Sequence, residues 1–154
     1  MSQLIERRGD LFKSGLHVLA HGVNCRGAMG AGIAIKFREM FPVMYSQYRD
    51  MCLHGQLNPG SIMPWDQESG WLIYNLATQP YPGPSASLES VGHCIAAMLK
   101  DSCHRSVSVI GMPRVGAGLG GLQWGDVKEV IEAELELVPD GPNIIVYSLE
   151  GSRG

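Results

Sequence analysis

The chain has 154 residues, 45% of them hydrophobic, and a formal net charge of -3. That length suits one domain that buries about two-thirds of its unfolded surface. With no lysine- or arginine-rich block, no apolar run near the ~20 residues of a membrane span and no apolar signal core in MSQLIERRGD, broad nucleic-acid binding and membrane insertion are set aside and the cytoplasm is expected.

Leu4 to Arg8 reads as an opening strand closed by Gly9-Asp10, with Asp10-Leu11-Phe12 as a turn. Leu16 to Val23 is nearly continuous in apolar character, as a central strand should be. It runs into a glycine loop, Asn24 to Gly32. Ile33, Phe37, Met40 and Phe41 then fall on one helical face, with Lys36, Arg38 and Glu39 on the rest. Pro42 separates this helix from the next, Val43 to Leu53, where Tyr45, Tyr48 and Met51 or Cys52 recur at helical spacing. Asn58-Pro59-Gly60 is a turn. Ser61 to Trp65 and Trp71 to Thr78 read as strands joined by a hairpin turn at Gln67–Gly70, and Pro80 to Pro84 forms a stiff loop.

Ser85 or Ser87 can cap a helix running to about Asp101, with Leu88, Val91, Ile95 and Met98 or Leu99 inward. Val107 to Ile110 is a short buried strand. It leads into a second glycine loop, with glycines at 116, 118, 120 and 121. A helix from Gly125 to Leu137 follows, with Val127, Val130, Ile131 and Leu135 as its apolar face and Asp126/Glu129 as a capping pair. Asn143 to Leu149 is the last strand, and residues 151–154 should fray. The order β β α α β β α β α β implies one α/β domain over residues 1–150, a mixed sheet covered by helices on both sides. The cysteines at 25, 52, 94 and 103 contain no C-x-x-C pair, so reduced thiols are expected.

Strand, glycine loop, helix aims backbone N–H groups and a positive helix end at an anion. Only glycine brings main chain to a ligand at positive φ without strain. Two such loops fit the two faces of a diphosphate. Gly116 to Gly121 contains a literal G-x-G-x-x-G, but it lies late in the chain, and Asp140, about twenty residues on, sits in a turn. A dinucleotide-binding oxidoreductase is therefore disfavoured. No G-K-[S/T] occurs, which argues against a Walker-type nucleotide hydrolase. His17 and His21 share a strand face but have no third ligand at suitable spacing, so no metal is expected.

Taken together, Gly9-Asp10-Leu11, His21-Gly22-Val23-Asn24-Cys25, Met29 to Ala34, and Met112 to Leu119 with Leu122-Gln123-Trp124 resemble the macrodomain family, the ADP-ribose-binding module. The likeness covers almost the whole chain. It implies a three-layer α/β/α fold with a central mixed six-stranded sheet, no cofactor, and a monomer. The branch it resembles holds terminal ADP-ribose protein glycohydrolases, DNA–ADP-ribose glycohydrolase antitoxins and ADP-ribose-1″-phosphate phosphatases. The ligand implied is ADP-ribose, or an ADP-ribosylated protein or nucleic acid. The activity implied is hydrolysis at the distal ribose, with a non-catalytic reader or sponge as the alternative.

Carried over by motif, Asp10 accepts a hydrogen bond from the adenine amino group beside the Leu11 backbone; the other reading of Asp10 is an Asx cap. Asn24 holds the distal ribose. Gly30, Ala31, Gly32 and Ile33 wrap the diphosphate and that ribose. Val115, Gly116, Ala117, Gly118 and Leu119 clamp the phosphates through N–H groups, so that dipoles rather than lysines meet the charge. Thr78 joins the ligand-binding set, and Tyr147 flanks the adenine unless it is a core aromatic. Where the glycohydrolases carry a lysine after that threonine, this chain has Gln79; where the protein-directed ones carry an aspartate, it has Gly120. A glutamine cannot form the covalent adduct a lysine can. The candidate catalytic set is therefore Asn24, His21 and Gln79. In it His21 is a base or nucleophile, its alternative being a histidine packed under the loop. Another route is a water held between Asn24, Gln79 and a substrate phosphate.

Overall fold

The computed structural model describes residues 1–66 and 70–149. Its elements are β1 (Leu4–Arg8), β2 (Val18–Asn24), α1 (Ala34–Met40), α2 (Pro42–Leu53), β3 (Ile62–Asp66), β4 (Leu72–Gln79), α3 (Leu88–His104), β5 (Val109–Met112), α4 (Trp124–Glu136) and β6 (Asn143–Ser148). Single 3-10 turns occur at Leu11–Lys13 and Gly118–Gly120. The order matches the one read from the sequence. Residues 67–69 of the expected hairpin turn, and the tail at 150–154, lie outside the described residues.

The six strands form one mixed sheet in the order β1-β6-β5-β2-β4-β3. Every neighbouring pair is parallel except the edge pair β3–β4. From β2 the chain turns towards β4 and β3; from β5 it turns the other way, towards β6. The boundary between β2 and β5 is thus a topological switch point, and the carboxyl ends of the parallel strands open beside it. Gly9-Asp10, Asn24, Gln79, Met112 and Ser148 all stand at that end.

Strand alternation sorts the core into two layers. On one face Tyr74, Leu76, Ile110 and Val146 pack against Val91, Ile95, Met98, Val127 and Ile131 of α3 and α4. On the other, Leu19, Val23, Ile73 and Ala77 pack against Phe37, Phe41, Met44 and Tyr48 of α1 and α2. Residues 72–78 of β4 are all buried, as befits a strand covered on both sides.

Several boundaries and faces differ from the sequence expectation for local reasons. β5 starts at Val109 because Ser106 takes φ 58 and Val107 N–H still bonds the Ser102 carbonyl, extending the cap of α3. Leu16 precedes β2 in a turn, its N–H donating to Ser14 Oγ. Asp126 does not cap α4: the cap is Gln123, with no side-chain bond, and Asp126 lies inside the first turn. There its charge complements the helix dipole. Ser87 caps α3, accepting from Ser90 N–H. Met40 and Leu88, expected inward, are both 37% exposed. Met40 closes a seven-residue helix whose inner face Phe37 and Phe41 already fill, and Leu88 opens α3 at its rim. All four cysteines are free. Among the described residues no helix is long and apolar enough to cross a membrane.

Candidate functional site

A cleft of about 590 Å³ lies at the switch point. From the candidate ligand set it gathers Asp10, Leu11, Gly32, Ile33, Ala117, Gly118 and Tyr147. Gly9, Phe12, Lys36, Pro113, Arg114, Ser148 and Leu149 also line it. β1 and β6 therefore supply one end and the two glycine loops supply the middle.

The loop after β5 is a compact, self-bonded coil. Ala117 N–H bonds the Arg114 carbonyl, Gly120 N–H that of Ala117, Gly121 N–H that of Gly118 and Leu122 N–H that of Gly116. Gly116, at φ 77, is hemmed in: a Cβ there would stand 3.1 Å from Val91 and 3.2 Å from Leu122. Gly118, at φ 61, faces open space. Gly118 N–H turns to the Leu122 carbonyl in the bridge between Ala117 and Leu122, whereas the amides of Gly116 and Leu119 have no backbone acceptor among the described residues, nor do those of Gly30, Ala31, Gly32 and Ile33. The loops touch where Leu119 Cδ1 lies 3.0 Å from the position of a Cβ on Gly32. The two glycine loops thus front one cleft from two sides, Gly32 and Ile33 with unpaired amides on one and Ala117 and Gly118 on the other, an arrangement suited to a diphosphate.

Asp10 caps the turn that follows it: its Oδ1 accepts from Phe12 N–H at 3.0 Å while the residue lines the cleft. Tyr147 stands opposite, its ring 3.9 Å from where a Cβ on Gly9 would be. Two cationic side chains also stand at the cleft. Lys36, on the polar side of α1, and Arg114 both line the cleft. Arg114 lies over the Trp124 ring at 5.6 Å, with Nη2 4.0 Å from Glu6 Oε1. Glu6 also accepts from Trp124 Nε1 at 2.8 Å and Lys128 Nζ at 3.0 Å. Foremost the Trp124 hydrogen bond, then that from Lys128, lowers the Glu6 pKa. Arg114 sits inside the Met112–Leu119 motif, but nothing in the sequence linked it to Glu6.

Asn24 is 8% exposed and shapes its own loop. Its Nδ2 donates to the Ala28 carbonyl at 2.8 Å, and its Oδ1 accepts from Arg26 N–H at 2.9 Å and the Tyr48 hydroxyl at 3.0 Å. One Nδ2 hydrogen is left over. Tyr48 also donates to the Asn24 carbonyl at 2.6 Å, so a residue read as helix packing fixes the site's asparagine.

Gln79 is the register partner of Asn24 across β2 and β4. Its Nε2 donates to the carbonyls of Tyr81, at 2.6 Å, and Gly83, at 2.8 Å. Both amide hydrogens are spent on the proline loop, and Oε1 lies 3.2 Å from the position of a Cβ on Gly120. That loop bridges the two glycine loops: Cys25 N–H bonds the Pro80 carbonyl and Ala86 N–H that of Gly120. Thr78, 1% exposed, sits beneath, its Oγ1 2.9 Å from where a Cβ on Gly22 would be.

His21 requires correction as a catalytic candidate. It is fully buried on the α1/α2 face, stacked on Phe37 at 3.9 Å. Its Nε2 pairs with Asn75 Oδ1 at 2.6 Å. Asn75 Nδ2 donates to the Met63 carbonyl, so Oδ1 is the acceptor and Nε2 carries the proton. Desolvation pushes the imidazole pKa down to about 4 against the weaker pull of Asn75. A neutral ring sealed beneath the sheet surface does not reach a ligand; this is the packed histidine. His17 is likewise engaged, against Trp71 at 4.6 Å. No group of three or more potential metal ligands occurs among the described residues.

Fold and cleft together define an α/β/α module with a cleft at the switch point of its sheet. The chain belongs to the Macro domain family, which it matches over residues 20–131. It is 32% identical over 143 residues to a DNA ADP-ribosyl glycohydrolase of Thermus aquaticus, covering 91% of this chain and 39% of that protein. It is 30% identical over 149 residues to the human ADP-ribose glycohydrolase OARD1, covering 96% and 93%. The solved macrodomain of Thermus aquaticus DarG matches with a TM-score of 0.85 and 30% identity over 96% of this chain and 99% of that one. The chain spans only about two-fifths of the length of the DNA-directed relatives, 42% and 39% in the mycobacterial and Thermus proteins.

Proposed function

We propose that this chain binds ADP-ribose and, as a cytoplasmic monomer, hydrolyses the linkage at its distal ribose in ADP-ribosylated protein or nucleic acid, or in ADP-ribose-1″-phosphate. The observation that carries the reading is the pair of glycine loops that front one cleft, which Asp10 and Tyr147 also line. The likeness to relatives named for ADP-ribosyl hydrolysis supports the activity.

With His21 sealed and no lysine at Gln79, the groups this reading assigns to the distal ribose are a spare Asn24 N–H and the Gln79 Oε1 acceptor. They suit an oriented water better than a covalent adduct. The water oxygen bonds to C1″ as the bond to the leaving group breaks; its proton passes to a substrate phosphate oxygen and on to the leaving group. The second reading, a reader without turnover, is favoured by one feature: both Gln79 amide hydrogens are occupied by loop carbonyls.

Incubation with ADP-ribosylated protein, ADP-ribosylated DNA and ADP-ribose-1″-phosphate separates the two. Release of ADP-ribose that is abolished by Asn24→Ala is the expected result. No release from any substrate, with ADP-ribose still bound, would leave the reader.

A further inference from the structure

A second groove, of about 570 Å³, lies on the other side of the Asn24 turn and includes Arg26, Tyr45 and Arg49. We infer that it is a track for a single-stranded nucleic-acid segment running on from the distal ribose. The inference rests on the reading of the cleft as an ADP-ribose site.

Position comes first. One loop makes both walls: Gly32 and Ile33 line the cleft, while Cys25 to Gly27 line the groove. Asn24 is folded between them, bonded to Arg26 N–H and the Ala28 carbonyl. Cys25 N–H also holds the Pro80 carbonyl, which brings Tyr81 alongside. On that reading of the cleft, a polymer attached at the distal ribose would pass the Asn24 turn and meet Arg26, which lines the groove beside Tyr81.

Chemistry comes second. The Arg26 guanidinium lies 4.9 Å from the Tyr81 ring centre. Arg38 and Arg49 each lie 5.7 Å from that of Tyr45. None of the three arginines has a carboxylate partner among the described residues. In a chain of net charge -3, the two guanidiniums that line the groove, Arg26 and Arg49, are held on tyrosines rather than on carboxylates and stay available to phosphates, with Arg38 beside them on Tyr45. Asp50, the one carboxylate in the groove lining, faces His54 Nδ1 at 3.7 Å. Burial pushes the Cys25 thiol up to about 11 and raises that of Cys52, so neither adds negative charge near neutral pH. Arginines interleaved with aromatic rings suit phosphates and stacked bases together, where an acidic peptide needs only the charges.

The test is fluorescence anisotropy with a labelled, unmodified single-stranded DNA oligonucleotide, beside calorimetry with ADP-ribose. In R26A/R49A the oligonucleotide should bind at least about tenfold more weakly. The salt slope should shrink by about 1.4, because two phosphates are no longer neutralised. The ADP-ribose affinity and melting temperature should not change. Tyr45→Leu should weaken oligonucleotide binding without altering the slope. Failure of the wild-type protein to bind the oligonucleotide at low salt would overturn the inference, as would equal binding by R26A/R49A. A glutamate-rich peptide bound as tightly, and released in the same variant, would reassign the groove to acidic protein. Loss of ADP-ribose binding by the wild-type protein defeats the cleft reading instead, and the oligonucleotide still decides the groove.

Discussion

Gly116→Ala and Gly118→Ala make a paired test of the phosphate loop, because the two glycines share a conformation but not a neighbourhood. Each has a left-handed backbone, at φ 77 and φ 61. An alanine there costs about 1–2 kcal/mol in folding. At Gly116 the new methyl also meets Val91 at 3.1 Å and Leu122 at 3.2 Å, in the core beneath the loop. Overpacking raises the total to about 2–4 kcal/mol, a fall in melting temperature of about 5–10 °C for a domain of this size. At Gly118 nothing lies within 4 Å, so only the strain remains, about 3 °C. The space beyond Gly118 is the cleft, and a methyl placed there stands where the diphosphate must approach the main chain. Gly118→Ala should therefore lose at least about tenfold in ADP-ribose affinity, about 1.4 kcal/mol or more. Thermal melts and calorimetry on both variants read these quantities. Gly118→Ala with full ADP-ribose affinity would refute the assignment of the loop.

Asp10→Asn should keep the turn cap, since asparagine caps as well as aspartate, yet weaken ADP-ribose binding about tenfold; Asp10→Ala should lose about 1 kcal/mol of stability as well. Unchanged affinity in Asp10→Asn, measured by calorimetry, would leave the residue a cap alone. Gln79→Ala should speed hydrogen exchange across residues 80–85 and abolish turnover while ADP-ribose still binds; unchanged exchange contradicts the hold of Gln79 on the Tyr81 and Gly83 carbonyls. His21 carries a pH signature. Its folded pKa of about 4 lies below the ordinary 6.5, so the unfolded chain takes up the proton first, and stability falls as pH drops from about 6.5 towards 4. The full effect is about 3 kcal/mol, with about one proton taken up on unfolding between pH 6 and 5. Urea melts across that range that show no such loss would contradict the sealed neutral ring. A pH–rate profile should likewise lack a histidine limb near neutrality.

Much of this molecule is legible in the amino-acid order because its elements announce themselves locally. β2 and β4 are continuous apolar runs, Ser87 caps α3, and glycines mark both loops. Boundaries slipped where a single residue took an unusual conformation, as Ser106 does before β5. The site was legible where the main chain makes it and obscure where long-range partners do. Nothing near His21 in sequence shows that Phe37 and Asn75 seal it. Nothing near Asn24 shows that Tyr48 pins it. Lys36 looks like a solvated helix residue until α1 is docked at the cleft. The role of Gln79 depends on carbonyls in a loop whose path no periodicity encodes.

The most direct measurement is a calorimetric titration of the protein with ADP-ribose. Saturable binding of one ligand per chain, weakened in Gly118→Ala and in Asp10→Asn, is the predicted result. No heat of binding up to millimolar ADP-ribose would contradict the account at its centre.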